Sequence, residues 1–392
     1  MNNQDKKDIL LFTRPLAPPW DEASKNLAFD IASNASGPFN FRVLTTTDYA
    51  KHLRSKPADS RLARIIPEPL FNTTRFRRYE KFLLVSRIFR PRIGAHIIHF
   101  LFTPRKFTSN LIRTRLWFSK VRTVQTIATI SDSIINNPER LRNVLFADSI
   151  VAQSRYTKTK LEKSGMLNVK MIYPGINMQK FSPAPKNTQL MRQFGIQHNE
   201  FAILFAGEYT RLKAIDGIID AFQQVLLEKD PSEHFKLVLA CRIKSPQDKI
   251  KKKEVIEKAK KLACHKNIVF IDTFSDMPVL YNISDINIFP VQEMTGKFDI
   301  PLVLVEAMAC GKPVIVSDIP VLEEFIEHGK TGFIIPKKNP KQLAQNILAL
   351  SRNREKAHEI ADNAFYYARK YFNIVNTVKE YENLYKGLFP IK

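Results

Sequence analysis

The chain has 392 residues, 44% hydrophobic and 25% charged, which is the composition of a folded protein of two or three domains and excludes a disordered one. Its 61 Lys and Arg against 38 Asp and Glu leave a formal charge of +23, a surplus that calls for an anionic partner: a phosphorylated ligand, a membrane surface or nucleic acid. Three scattered cysteines, Cys241, Cys264 and Cys310, exclude a disulfide framework or zinc ribbon, and no apolar run reaches the length of about 20 residues that spans a bilayer.

The amino-terminal stretch has only a short apolar run, closed by Arg14 and prolines, so neither a signal peptide nor an anchor is expected there. In chain order, Ile9 to Thr13 reads as a strand, followed by a Pro-rich loop and a helical period through Ala28 and Ile31. Further buried strands are predicted at 41–45, 95–100, 123–127, 149–153 and 169–173. A polar, proline-bearing break follows at Pro183 to Asn187, and then the pattern restarts. Strands at 201–205, 236–240, 267–271, 286–290, 313–317 and 332–335 alternate with helices at 216–227 and 248–262. Short apolar runs alternating with helices imply parallel sheets covered on both faces. The expected fold class is α/β: two doubly wound, Rossmann-like domains facing across a cleft. The first is expected at 1–183 and the second at 184–364, with carboxy-terminal helices at 365–392 crossing back to the first.

Ligands of such sheets sit beyond the carboxyl ends of the strands, so the loops after each strand matter most. After the strand at 201–205, Gly207 frees the backbone and Arg211 and Lys213 supply cations, which suits a diphosphate or an ordinary solvated loop. After 267–271, Thr273 and Phe274 lie where a base edge would bind, although Ser275 and Asp276 also read as a helix cap. The third loop runs from Thr295 through Lys297, Phe298, Asp299, Ile300, Pro301 and Leu302 into an apolar helix that carries Glu306. Free amides at that helix start face an anion, and Pro301 suits its first turn. A carboxylate among apolar residues needs a partner, either a ribose diol or a backbone amide.

The segment 286–333 resembles the nucleotide-sugar site of group 1 (family four) retaining glycosyltransferases of the GT-B fold. So do Ala147 to Ser154, Ile172 to Asn177 with Phe181 to Pro183, and Phe205 to Lys213. The resemblance implies that Glu306 holds the nucleotide ribose as the second of a glutamate pair, and that Lys213 contacts the donor diphosphate from the loop of Gly207. It implies that the backbone at Phe298, Asp299, Ile300 and Leu302 faces the phosphates. Three positions depart from the family pattern. Glu208 stands where an arginine follows the glycine, with Arg211 as a candidate substitute; Phe298 replaces the first glutamate, with Asp299 the nearest acid; and Ala128 stands where a cleft histidine is expected. His99, at the end of its predicted strand, is the candidate catalytic histidine, alongside Asp299.

Residues 61–123 hold fifteen Lys and Arg against two acids, a net +13, interleaved with aromatic and aliphatic residues. Basic amphipathic helices of this kind dock on anionic membranes, and Arg77, Arg78, Arg113 and Arg115 are the candidate docking residues. Solvated helix faces, or steering of an acidic saccharide, would give the same pattern. No D-x-D motif and no metal-ligand spacing occurs, so metal-independent chemistry with no cofactor is expected, the nucleotide-sugar being a co-substrate. The expected activity is sugar transfer with retention to a saccharide or lipid-linked acceptor in cell-envelope glycan synthesis. The expected place is the cytoplasmic side of the membrane, with no nucleic acid as partner. The alternative is an inactive relative that binds sugar nucleotide or membrane.

Overall fold

A computed structural model of the protein describes residues 6–389 apart from 19, 21, 56–63, 73–82, 85, 88–93, 103–105, 118, 128 and 295–298. The chain divides into two compact units. One comprises Met1–Gly175, Gly296–Ile300 and Ile374–Lys392, and the other Ile176–Thr295 and Pro301–Asn373. The divisions therefore fall after Gly175 and Asn373, where the sequence pattern places them after 183 and 364.

The first unit holds strands β1 (Lys7–Phe12), β2 (Phe39–Thr46), β3 (Ile65–Phe71), β4 (Ile97–Leu101), β5 (Arg122–Thr126), β6 (Ser149–Ala152) and β7 (Val169–Met171). They form one sheet in the order β3-β2-β1-β4-β5-β6-β7, every described pair parallel. Ile9, Leu11, Phe41, Ile97, Val124 and Val151 pack on one face with the helix Ala23–Asn34, and Leu10, Phe12, Ile98 and Phe100 on the other. Burial on both faces is why these strands read as unbroken apolar runs rather than alternating ones. The strand β3 escapes that reading because Pro67 and Pro69 interrupt it; prolines are tolerated where it lies, at the sheet edge.

The second unit holds β8 (Glu200–Glu208), β9 (His234–Arg242), β10 (Ile268–Ile271), β11 (Ile286–Phe289), β12 (Val314–Ser317) and β13 (Phe333–Ile335). The order is β10-β9-β8-β11-β12-β13, again parallel. The strand order reverses between β8 and β11. At such a switch point the loops leaving the two central strands diverge and leave a crevice for a ligand. Those two loops carry Gly207 to Lys213 and the residues leading to Leu302.

The final helix, Ile374–Gly387, belongs to the first unit, whereas the helix Arg354–Tyr371 belongs to the second. Gly175 lets the last helix approach: a Cβ there would lie 2.5 Å from the Ile374 Cα. Glu382 then accepts from the backbone amides of Ser36 and Gly37 at 2.7 and 2.5 Å, fixing the helix to the loop before β2.

Candidate functional site

The loop leaving β8 is built around a buried carboxylate. Gly207 is required because the Phe205 ring folds beneath it, 2.5 Å from where a Cβ would be. Glu208 follows, 5% exposed, and its Oε1 accepts from Arg211 at 2.6 Å and from Lys244 at 2.9 Å. A carboxylate this buried is stable only with such cations, and Arg211, the candidate substitute for the family's arginine, pairs with Glu208. Beside it, Asp248 caps the helix Pro246–Lys261 and accepts from Thr210, Ser245 and the Lys244 amide. Burial pushes the Asp248 carboxyl up, but these hydrogen bonds outweigh it and leave it below its usual value.

Lys213 is the exposed cation of this loop. Its backbone lies in the left-handed region at φ 50°, a conformation that costs a non-glycine residue about 1 kcal/mol or more. Its side chain is 60% exposed and pairs with Glu293 at 3.2 Å. The Gln292 amide donates to the Leu212 carbonyl at 3.1 Å, so the β8 loop and the β11 loop are tied together at the switch point. A surface ion pair of this kind contributes little to stability.

The second loop enters the helix Leu302–Ala309 at Pro301, whose side chain makes no capping hydrogen bond. Ile300 is fully buried and Leu302 half-buried. One turn in, Glu306 is half-buried, and its Oε2 accepts from the Tyr281 hydroxyl at 2.7 Å. Burial raises the Glu306 carboxyl to about 7, against the pull of Tyr281 and of the Lys180 charge. The carboxylate in turn adds to burial in pushing the Cys310 thiol up to about 12. Sequence reasoning missed Tyr281 and Lys180. Tyr281 stands in an apolar helical stretch where an aromatic residue reads as core, and only its pairing with Glu306 gives it away.

Thr273 is exposed after β10, and Phe274 packs edge-on against Phe194 at 6.0 Å. Neighbouring Asp272 pairs with Lys252 at 2.5 Å. Lys297, Phe298, Arg77, Arg78 and Ala128 lie outside the described residues.

In the first unit the expectation for His99 is corrected. Instead of reaching the sheet edge, His99 sits fully buried inside β4. Its Nδ1 bonds to the Tyr385 hydroxyl and its Nε2 to Thr126 Oγ1, both at 2.7 Å, and Tyr381 bonds to the same threonine at 3.0 Å. Burial lowers its pKa to about 3, so the ring is neutral and fastens the last helix to the sheet. Asp299 was expected to meet a sugar hydroxyl. Its carboxylate accepts instead from Ser154 Oγ at 2.5 Å and Thr157 Oγ1 at 2.9 Å, at the start of the helix Arg155–Lys163. A negative charge there is favoured by the helix dipole. Arg113 and Arg115 lie on the helix Lys106–Leu116, with Arg113 donating to the Arg142 carbonyl at 3.3 Å. Among the described residues no cluster of His, Cys, Asp and Glu is placed to hold a metal ion, and no helix is long and apolar enough to cross a membrane.

Residues 186–366 match the family model of glycosyl transferases group 1. N-acetyl-alpha-D-glucosaminyl L-malate synthase of Bacillus anthracis is 24% identical over 198 residues, 50% of this chain and 48% of that protein. D-inositol 3-phosphate glycosyltransferase of Streptomyces bingchenggensis is 25% identical over 268 residues, 64% of this chain and 58% of that protein. The chain thus spans between 48% and 58% of the length of these two curated relatives. Among solved structures, Anabaena Alr3699/HepE in complex with UDP and glucose superposes with a TM-score of 0.74 at 19% identity, covering 97% of this chain and 100% of that one. Sucrose-phosphate synthase from Thermosynechococcus elongatus gives 0.74 at 18% identity, covering 98% and 99%. The fold is the GT-B arrangement of two Rossmann-like domains, and residues 186–366 are similar to the glycosyl transferases of group 1.

Proposed function

We propose that the protein transfers a sugar from a nucleotide-sugar donor to a saccharide or lipid-linked acceptor with retention of anomeric configuration, as a family-four enzyme without a catalytic metal. The observation that carries this reading is the placement of Lys213 on the loop that leaves β8 and of Glu306 on the helix that follows the loop leaving β11, at the strand reversal of the second unit. Lys213 exchanges Glu293 for the donor diphosphate, the amides after Pro301 face its oxygens, and Glu306 accepts the ribose hydroxyls. Preorganised positive charge stabilises the leaving diphosphate as the sugar–phosphate bond breaks. The acceptor oxygen bonds to the anomeric carbon from the same face, and its proton passes to the leaving phosphate.

The acceptor side of the reading rests on the helix Lys106–Leu116. Its inner face is anchored by fully buried Ile112 and Ser109, while Phe107 and Trp117 are each 82% exposed beside Lys106, Arg113 and Arg115. Two exposed aromatics about 15 Å apart along a basic helix match a peripheral membrane contact on an anionic leaflet, from the cytoplasmic side. This would bring the protein to a lipid-linked acceptor of envelope glycan synthesis. The UDP and UDP-glucose bound in the HepE structures make uridine diphosphate sugars the first donors to try.

Release of sugar from UDP-, GDP- and ADP-sugars, with and without membrane lipid extract, tests the reading. Turnover of at least one donor, lost in Lys213→Ala, is the expected result. The buried, neutral His99 favours a second reading, a non-catalytic sugar-nucleotide binder. Tight binding with no turnover of any donor would establish that one instead.

A further inference from the structure

Glu306 is held by a group that reaches it from another element. The Tyr281 hydroxyl, on the helix Met277–Ile283, donates to its Oε2 at 2.7 Å. Among the described residues it is the carboxylate's one hydrogen-bond partner. Tyr281 is fully buried, with Phe181 beside it at a ring separation of 6.3 Å. The charged and titratable groups around Glu306 are Tyr281 on that helix, Lys180 on the segment before Phe181, and Cys310 one turn along its own helix. Burial pushes the phenol well above its ordinary value, so it remains a donor throughout the working pH range. A hydroxyl fixed on one carboxylate oxygen sets the rotation of the side chain and leaves the other oxygen to a ligand's donors.

Resting on the reading of Glu306 as the ribose-binding residue, we propose that Tyr281 is a positioning residue that orients Glu306 and holds it as the carboxylate that accepts a ribose diol. The hydrogen bond opposes the burial of Glu306, and its removal lets the carboxyl take up a proton at higher pH. A hydroxyl that merely supported the fold would affect every ligand alike. A positioning hydroxyl affects only ligands with the diol, and most where the carboxyl titrates.

The experiment measures affinity for UDP and for 2′,3′-dideoxy-UDP from pH 6 to 9 in the wild type, Tyr281→Phe and Glu306→Gln, with GDP and ADP and their dideoxy forms in place of UDP if they bind better. Tyr281→Phe is expected to bind UDP about tenfold more weakly at pH 7, one pKa unit's worth, and to recover by pH 9. It should bind the dideoxy nucleotide as the wild type does. Glu306→Gln should bind UDP weakly with no pH dependence. A Tyr281→Phe profile equal to the wild type, or an equal loss for both nucleotides at every pH, overturns the positioning role while leaving Glu306 in place. Wild-type affinity in Glu306→Gln, or no diphosphate bound by the wild type, overturns the ribose reading beneath it.

Discussion

Glu306 is costly to the fold where it is. Its carboxyl titrates near 7 in the native protein, against an ordinary value of 4.5, because it is withdrawn from water. The folded protein therefore holds this proton more tightly than the unfolded chain does. The stability it contributes is complete below about 4.5 and is lost as the pH rises through 7. Glu306→Gln keeps an acceptor for Tyr281 and removes the titration. It should gain about 1–3 kcal/mol in unfolding free energy at pH 8 and little at pH 5, read by denaturant titration at both values. An equal change at the two pH values would show that Glu306 is not strained by its charge. A residue that weakens the fold at neutral pH is the pattern of a group kept for binding. The left-handed backbone of Lys213 points the same way, since it stores strain in the loop assigned to the diphosphate. His99 shows the opposite pattern: both nitrogens bonded and no exposure.

Two helices of the first unit differ in how they are held. The last helix, Ile374–Gly387, is clamped at three levels: Thr377 to the Tyr173 carbonyl, Tyr381 and Tyr385 to the Thr126 and His99 pair, and Glu382 to the amides of Ser36 and Gly37. The helix Lys106–Leu116 is anchored on one side only, and its outer face combines cations with two exposed aromatics. Each basic residue near an anionic surface contributes about 1 kcal/mol, and burying the rings adds an apolar contribution that salt does not screen. The combined variant Phe107→Ser, Trp117→Ser, Arg113→Glu and Arg115→Glu should leave phosphatidylglycerol vesicles in a flotation assay at about 0.15 M salt. Undiminished flotation would remove the membrane from the proposed function.

At the scale of the whole chain, two parallel sheets were legible because buried strands are continuous apolar runs, from Ile9 in β1 to Phe333 in β13. The strand β3 was not, since Pro67 and Pro69 erase its pattern and edge position is a tertiary property. The last helix was expected to cross back to the first unit, and its start at Ile374 depends on Gly175, far away in the chain. In the candidate site, Gly207, Lys213 and Glu306 were picked out by their place after apolar strand runs, and their roles came from the family resemblance. Tyr281, Lys180 and the pairing of Lys244 with Glu208 could not be picked out, because each is made by the fold between separate segments. Calorimetric titration with UDP, GDP and ADP tests most directly whether the second unit grips a nucleoside diphosphate through Lys213 and Glu306. The wild type is expected to bind at least one of them. Lys213→Ala combined with Glu306→Ala should weaken that binding by roughly a hundredfold, because each substitution removes one charge-assisted hydrogen bond to the nucleotide. A double variant that binds the same nucleotide as tightly as the wild type would contradict the proposed grip.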